Sequence, residues 1–231
     1  KRAAVIVGSV YGGDFACDMQ MGLRIPEFQK HIREELRSRG VPESQVEAVA
    51  GAYQDLLLKH MPALLDETGS FTASTLASRL TKTFDLMGGA FSLDANYVSS
   101  LAAIQSAMGM LLDGAADMVL CAAGQRSMDI NVFESFQLQH VLAAGDPKPA
   151  FSADYDGVVP GEGAGVLILK RLSDARRDGD KIRAVVRGLG AALDVGDHAA
   201  ARRESFERAI QLTHMDPAAI SVVALSFMVQ E

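Results

Sequence analysis

Tryptophan is absent from this chain, and cysteine nearly so: Cys17 and Cys121 are the whole complement. Two thiols so far apart in sequence make neither a disulfide scaffold nor a CxxC metal site, and they point to a reducing, cytoplasmic compartment. Long runs of one charge are also missing. The 29 acidic residues outnumber 22 basic ones for a net charge of -7, spread without a block of either sign. Attraction to nucleic acid or to anionic membrane is therefore not expected. No apolar run reaches the roughly 18 residues of a membrane span, and the opening "KRAAVIVGSVYGG" has too short an apolar region for a signal peptide. There is no short internal repeat and no low-complexity tract.

What the chain does have is apolar content, 48% of 231 residues, with 22% charged. That is the balance of a globular protein able to bury one large core or two small ones. Strand-like runs without alternation recur at "AAVIVG", "AFSLDA", "DMVLCAAG", "GVLILKR", "IRAVVRGLG" and "ISVVALSF". Continuous Val/Ile/Leu runs suit strands buried on both faces. Helical patterns lie between them, at 26–40 (Pro at its start, Gly at its end), 43–67, 99–114 and 201–214. The expected architecture is layered α/β, with 145–163 as its longest loop. Both ends read as core strands without flanking cover, so the 231 residues are expected to be part of a larger fold.

Several motifs invite a functional reading. "GVVPGEGAG" (157–165) looks like a nucleotide-binding glycine loop, but its glycines precede a strand instead of joining a strand to a helix. A tight loop feeding a core strand is the expectation. The five histidines, His31, His60, His140, His198 and His214, have no metal-ligand spacing; the helical ones read as solvated, and His140 is a candidate to face a cleft. Asp154 and Asp156 alternate as in a calcium loop, but Val158 and Pro160 stand where further oxygen ligands belong. No metal is expected. In "SLDANYVSSLAAIQSAM" (92–108) a strand, a tight turn and a buried helix succeed one another. A helix N-terminus stabilises a thiolate, so a nucleophile there is best supplied by Cys. Tyr97 occupies the place, and a phenol, with an ordinary pKa of about 10, needs an adjacent base to act as one. From the residues alone, Tyr97 reads as a packing side chain with its hydroxyl at a polar edge.

The stretch from "FDLMGGAFSLDANYVSSL" through "DMVLCAAG" resembles the nucleophile region of the β-ketoacyl synthases, D-T-A-C-S-S-S-L followed by a buried helix and a strand. "PAFSADYDGVVPGEGAGVLILKRLSDARRDGD" is similar to that family's next block, with Ser152 where its first Asp usually stands. The resemblance runs over 85–228, the whole chain being taken as one partial ketosynthase-like domain. It implies the N-terminal half of a thiolase-like fold. More weakly, 20–84 resembles the synthases of polyunsaturated-fatty-acid and iterative polyketide assemblies.

Carried over by position, the resemblance puts Asp94 at the motif's Asp, Ser99, Ser100 and Leu101 at its tail, and Tyr97 at the acyl-accepting Cys. It aligns "DPAAISVVALSFM" with the block holding the first catalytic His, which places Ser226 there; the second His would lie beyond Glu231. In the family the Cys carries the acyl thioester and the His pair stabilises developing negative charge. The implication is a non-catalytic, chain-length-factor-like subunit or domain that pairs with an active ketosynthase, as heterodimer or pseudo-dimer, and shapes its acyl channel. Tyr97 would plug that channel, and the segment "SMDINVFESF" (127–136) would lie near the interface, with Met128 and Phe133 lining the pocket. No cofactor of its own is implied; phosphopantetheine-borne substrates would come through the partner and an acyl carrier protein. Two alternatives stay open: an acyl-thioester enzyme, acyltransferase or decarboxylase, with an altered active site, and a purely structural domain of a multidomain synthase.

Overall fold

Ala3–Gly8 is an unbroken apolar run, and it forms β1, buried along its whole length. The computed structural model of the chain describes residues 2–9, 14–60, 74–125, 130–149 and 151–224. In it β1 lies between β2 (Ala90–Leu93) and β3 (Met118–Gln125) and runs parallel to both, while β4 (Gly163–Lys170) closes the sheet antiparallel to β3. A central parallel strand needs apolar cover on both faces, and two helices supply it. α3 (Ser74–Phe84) brings Ala77 and Leu80 onto Val5, Val7, Leu120 and Ala122. α4 (Ser99–Leu112) brings Ala103, Ala107 and Leu111, four residues apart and so on one stripe, onto Ala4, Ile6, Val119 and Cys121. The odd and even residues of β1 thus serve opposite layers, which is why the run shows no alternation. Cys121 is buried, and desolvation pushes its thiol pKa up, so it acts as a small apolar filler.

α1 (Asp14–Ser38) and α2 (Glu43–His60) pack on each other. The Gln29 amide donates to the Ala50 carbonyl at 3.0 Å and to Gln54 at 2.9 Å, and Arg33 meets Glu47 at 2.9 Å. Gly40, at φ 73°, makes the left-handed cap between the two helices. α5 (Ile130–Leu138), α6 (Leu172–Asp178), α7 (His198–Thr213) and a 3-10 turn at Pro217–Ala219 complete the described elements.

Arg171 ties the end of the sheet together. Its guanidinium donates to the Leu111 and Ala116 carbonyls at 2.8 Å each, to Asp117 at 3.0 Å and to Asp174 at 2.6 Å. Arg2 also binds Asp117, and hydrogen bonds first from Arg2 and then from Arg171 hold that carboxyl at a pKa of about 2.

Several expectations need correction. Pro26 does not start a helix: α1 begins at Asp14 and runs through it, giving up only the one N–H that proline lacks. "IRAVVRGLG" forms no strand, and neither does 220–224; the rest of "ISVVALSF" lies outside the described residues. Both segments are apolar enough, but no strand in this sheet pairs with them. β4 is not buried on both faces. It is an edge strand, with Val166, Leu167 and Ile168 exposed, and only Leu169 joins the layer under α4. The glycines of 157–165 therefore feed an edge strand, not a core strand. Helices α3, α5 and α6 are not foreshadowed by the helical patterns of the sequence.

Candidate functional site

The turn from β2 into α4 is built by its own side chains. The Asp94 carboxylate accepts the Asn96 N–H at 2.8 Å, an Asx turn, and Asn96 takes the left-handed conformation at φ 53° that Asn tolerates better than most residues. Ser99 is buried, its hydroxyl donating to the Asn96 carbonyl at 2.6 Å and accepting the Ala95 N–H at 2.9 Å. Val98 is the N-cap and offers no side-chain cap, so Ser99 closes the turn from within the helix. The end of β1 presses on the same point. A Cβ on Gly8 would stand 2.3 Å from the Ser99 carbonyl oxygen, so only glycine lets strand and helix meet there.

Tyr97 stands at the apex of this turn, 48% exposed. Its ring stacks on Phe136 of α5 with centroids 6.2 Å apart and planes inclined by 27°. Its hydroxyl donates to Gln139 Oε1 at 2.8 Å. The Gln139 amide nitrogen donates in turn to the Ser135 carbonyl and hydroxyl oxygens, at 3.2 Å each. The phenol thus faces an amide oxygen, which is a weak proton acceptor compared with the imidazole or carboxylate that activates a nucleophile.

Of the residues singled out in the sequence, Asp94, Tyr97 and Ser99 come together in this one turn. Asp94 and Ser99 are occupied with its backbone, so neither presents a free side chain to a pocket. Phe133 lies on α5 and is 40% exposed, but the ring that meets Tyr97 is Phe136, three residues further along the helix. Met128 and Ser226 lie outside the described residues. Gln139 and Ser135 were not foreseen; they fall in or next to the segment 127–136, and only its helical winding reveals which of its side chains reach the apex. His140 does not face a cleft. It is exposed, in the left-handed position at φ 56° that ends α5.

Asp154 and Asp156 sit near the Lys148 ammonium, at 4.0 and 3.5 Å, and the Ser152 hydroxyl donates to Asp154. Among the described residues, no group of three or more His, Cys, Asp or Glu side chains is arranged to hold a metal, and no helix is long and apolar enough to cross a membrane.

The β-ketoacyl synthase N-terminal domain matches this chain over residues 42–175, more than half its length. The chain belongs to that family. It is 32% identical over 195 residues to a polyunsaturated fatty acid synthase polypeptide from a Thraustochytrium species, a match covering 81% of this chain and 7% of the relative. It is 34% identical over 154 residues to the pikromycin polyketide synthase component PikAIII of Streptomyces venezuelae, covering 64% of this chain and 10% of that one. An oxazolomycin ketosynthase domain from Streptomyces albus superposes on 94% of the chain with a TM-score of 0.68 at 22% identity, which establishes the fold. The ketosynthase from module 6 of the Bacillus subtilis bacillaene synthase covers 65% at a TM-score of 0.61 and 28% identity. The chain spans a tenth or less of these curated relatives and about a third of the solved ketosynthases. Its architecture is the mixed α/β ketosynthase fold over that part.

Proposed function

We propose that this ketosynthase-like domain does not condense acyl chains itself but pairs with an active β-ketoacyl synthase and shapes its acyl channel, in the manner of a chain-length factor. One observation carries the reading. At the turn where the family's motif places its acyl-accepting Cys stands Tyr97, engaged with an amide oxygen and an aromatic ring and, among the described residues, with no activating base as its hydrogen-bond partner. A phenol so placed has no route to a thioester, and loss of the nucleophile alone costs orders of magnitude in condensation rate. The surrounding architecture is kept, as pairing with a synthase requires: the strand, turn and helix are closed by Asp94, Ser99 and Gly8.

The test has two arms. The purified chain is incubated with malonyl and acyl thioesters and its intact mass measured; no covalent adduct is expected. Mixed with the ketosynthase of its own pathway, it is expected to form a complex of the summed mass. An adduct that Tyr97→Phe abolishes overturns the reading in favour of an altered acyl-transfer enzyme, and a chain that stays alone in solution with that ketosynthase overturns the pairing.

A further inference from the structure

Among the described residues, Tyr97 is held from one side only. Its neighbour Val98 is 55% exposed, and neither buried cluster of the sheet covers its ring. What fixes it comes from 42 residues away, at the C-terminal end of α5. That end is unusually well set. The Val141 N–H donates to the Phe136 carbonyl at 3.2 Å and the His140 N–H to the Gln137 carbonyl at 3.0 Å, the paired bonds of a Schellman motif, and Val141 is buried. Gln139 is the C-cap of that motif, and its side chain is fixed a second time by its two bonds to Ser135. With the amide nitrogen committed there, the oxygen faces the phenol as an acceptor.

We propose that Phe136 and Gln139 form a latch that clamps the Tyr97 ring over the N-terminal end of α4, so that the position of α5 sets whether this apex is closed to an acyl chain. The mechanical claim stands on the contacts; its meaning for chain length rests on the channel-shaping reading above. Phe136 supplies a face for the ring and Gln139 a polar stop for its hydroxyl. Together they select one rotamer of a half-exposed side chain that would otherwise sample several. Phe136 and Gln139 are positioning residues, acting through Tyr97.

The experiment reads the accessibility of one phenol. The full chain is treated briefly with N-acetylimidazole, which transfers an acetyl group to the phenol oxygen as the phenol proton passes to imidazole. Acetylation at Tyr97 is then mapped by peptide mass against Tyr53 of α2 as the internal reference. Gln139→Met removes the acceptor and keeps the bulk; it is expected to raise the Tyr97 rate about fivefold, the factor one neutral hydrogen bond contributes. Gln139→Glu puts a carboxylate, a base able to activate the phenol, where the amide oxygen stood; its Tyr97 acetylation is expected to fall as the pH is lowered through the carboxylate range, a pH dependence absent from Gln139→Met and one that a merely structural role for Gln139 would not predict. Phe136→Leu is expected to raise the rate, and His140→Gly, which keeps the left-handed cap and removes a neighbouring side chain that makes none of these contacts, to leave it unchanged. Gln139 is exposed, so these variants are expected to fold, and circular dichroism checks that they do. A wild-type Tyr97 rate in Gln139→Met overturns the latch and leaves the channel-shaping reading standing. A raised rate supports it, and the product length of the partner synthase, measured separately, then bears on the channel-shaping reading alone.

Discussion

Replacing Ser99 by Ala tests whether this turn is a structural device or a polar pocket. The hydroxyl makes two bonds, 2.6 Å to the Asn96 carbonyl and 2.9 Å from the Ala95 N–H. They are not equal. Asn96 is exposed and its carbonyl also accepts the Ser99 N–H at 3.1 Å, so water and that bond cover most of its loss. Ala95 is half-buried, and its N–H is left without this partner. At about 1 kcal/mol for a satisfied bond, and up to about twice that for a stranded donor, the cost comes to roughly 1–2 kcal/mol. In a chain of this size that lowers the thermal midpoint by about 3–6 °C. The measurement is a circular dichroism melt, with Ser100→Ala, an exposed neighbour in the same helix, as the control expected within about 0.5 kcal/mol of the parent. If both variants melt with the parent protein, the Ser99 hydroxyl does not close the turn, and a role toward a ligand becomes the better account. Because the turn carries Tyr97, Ser99→Ala is also expected to speed acetylation of that phenol.

Gly8→Ala places a methyl 2.3 Å from a backbone oxygen that no rotamer change can move away; β1 and α4 must separate, and a loss of about 1–3 kcal/mol or more in urea midpoints is expected. Ile6→Ala empties a fully buried site in the layer under α4; a loss of about 2–5 kcal/mol with an unchanged denaturant slope is expected, and a loss under about 1 would mean that the layer is not packed as described. Asp117 has a folded pKa of about 2, below the unfolded value near 4, so its carboxylate stabilises the fold above about pH 4 and that contribution fades as the pH falls toward 2. Asp117→Asn is therefore expected to flatten the acid limb of a urea-midpoint series between about pH 4 and 2, and an unchanged limb would refute the pairing with Arg2 and Arg171.

The elements that pair and pack locally were legible from residue order. Ala3–Gly8, 90–93 and 118–125 are apolar runs of strand length, and the four-residue spacing of Ala103, Ala107 and Leu111 marks the buried stripe of α4, because periodicity and β-branching act within a few residues. The D-A-N-Y-V-S-S-L turn and the glycine-rich block near β4 were enough to suggest the family, since a close approach such as Gly8 against Ser99 restricts the residues allowed. Legibility failed where a partner decides the outcome. "IRAVVRGLG" is as strand-like as β4 but pairs with no strand among the described residues, and β4 itself, apolar up to Lys170, lies at an exposed edge, because neither intrinsic preference nor hydrophobicity says which strand has a neighbour.

The candidate site divides along the same line. Residue order alone put Tyr97 at the mouth of α4 with Asp94 and Ser99 about it, because these are facts of a single turn; that a thiol would be wanted there is what the family resemblance implies. Only the tertiary structure decided what the phenol touches, since Phe136 and Gln139 are separated from it by two elements of secondary structure, and which winding of α5 faces the turn is settled by the packing of that helix. The residue singled out on α5 from sequence, Phe133, fell one helical turn short of the ring that makes the contact. A side chain's chemistry is carried by its own atoms; its role is carried by the groups that the fold brings within about 3 Å of it.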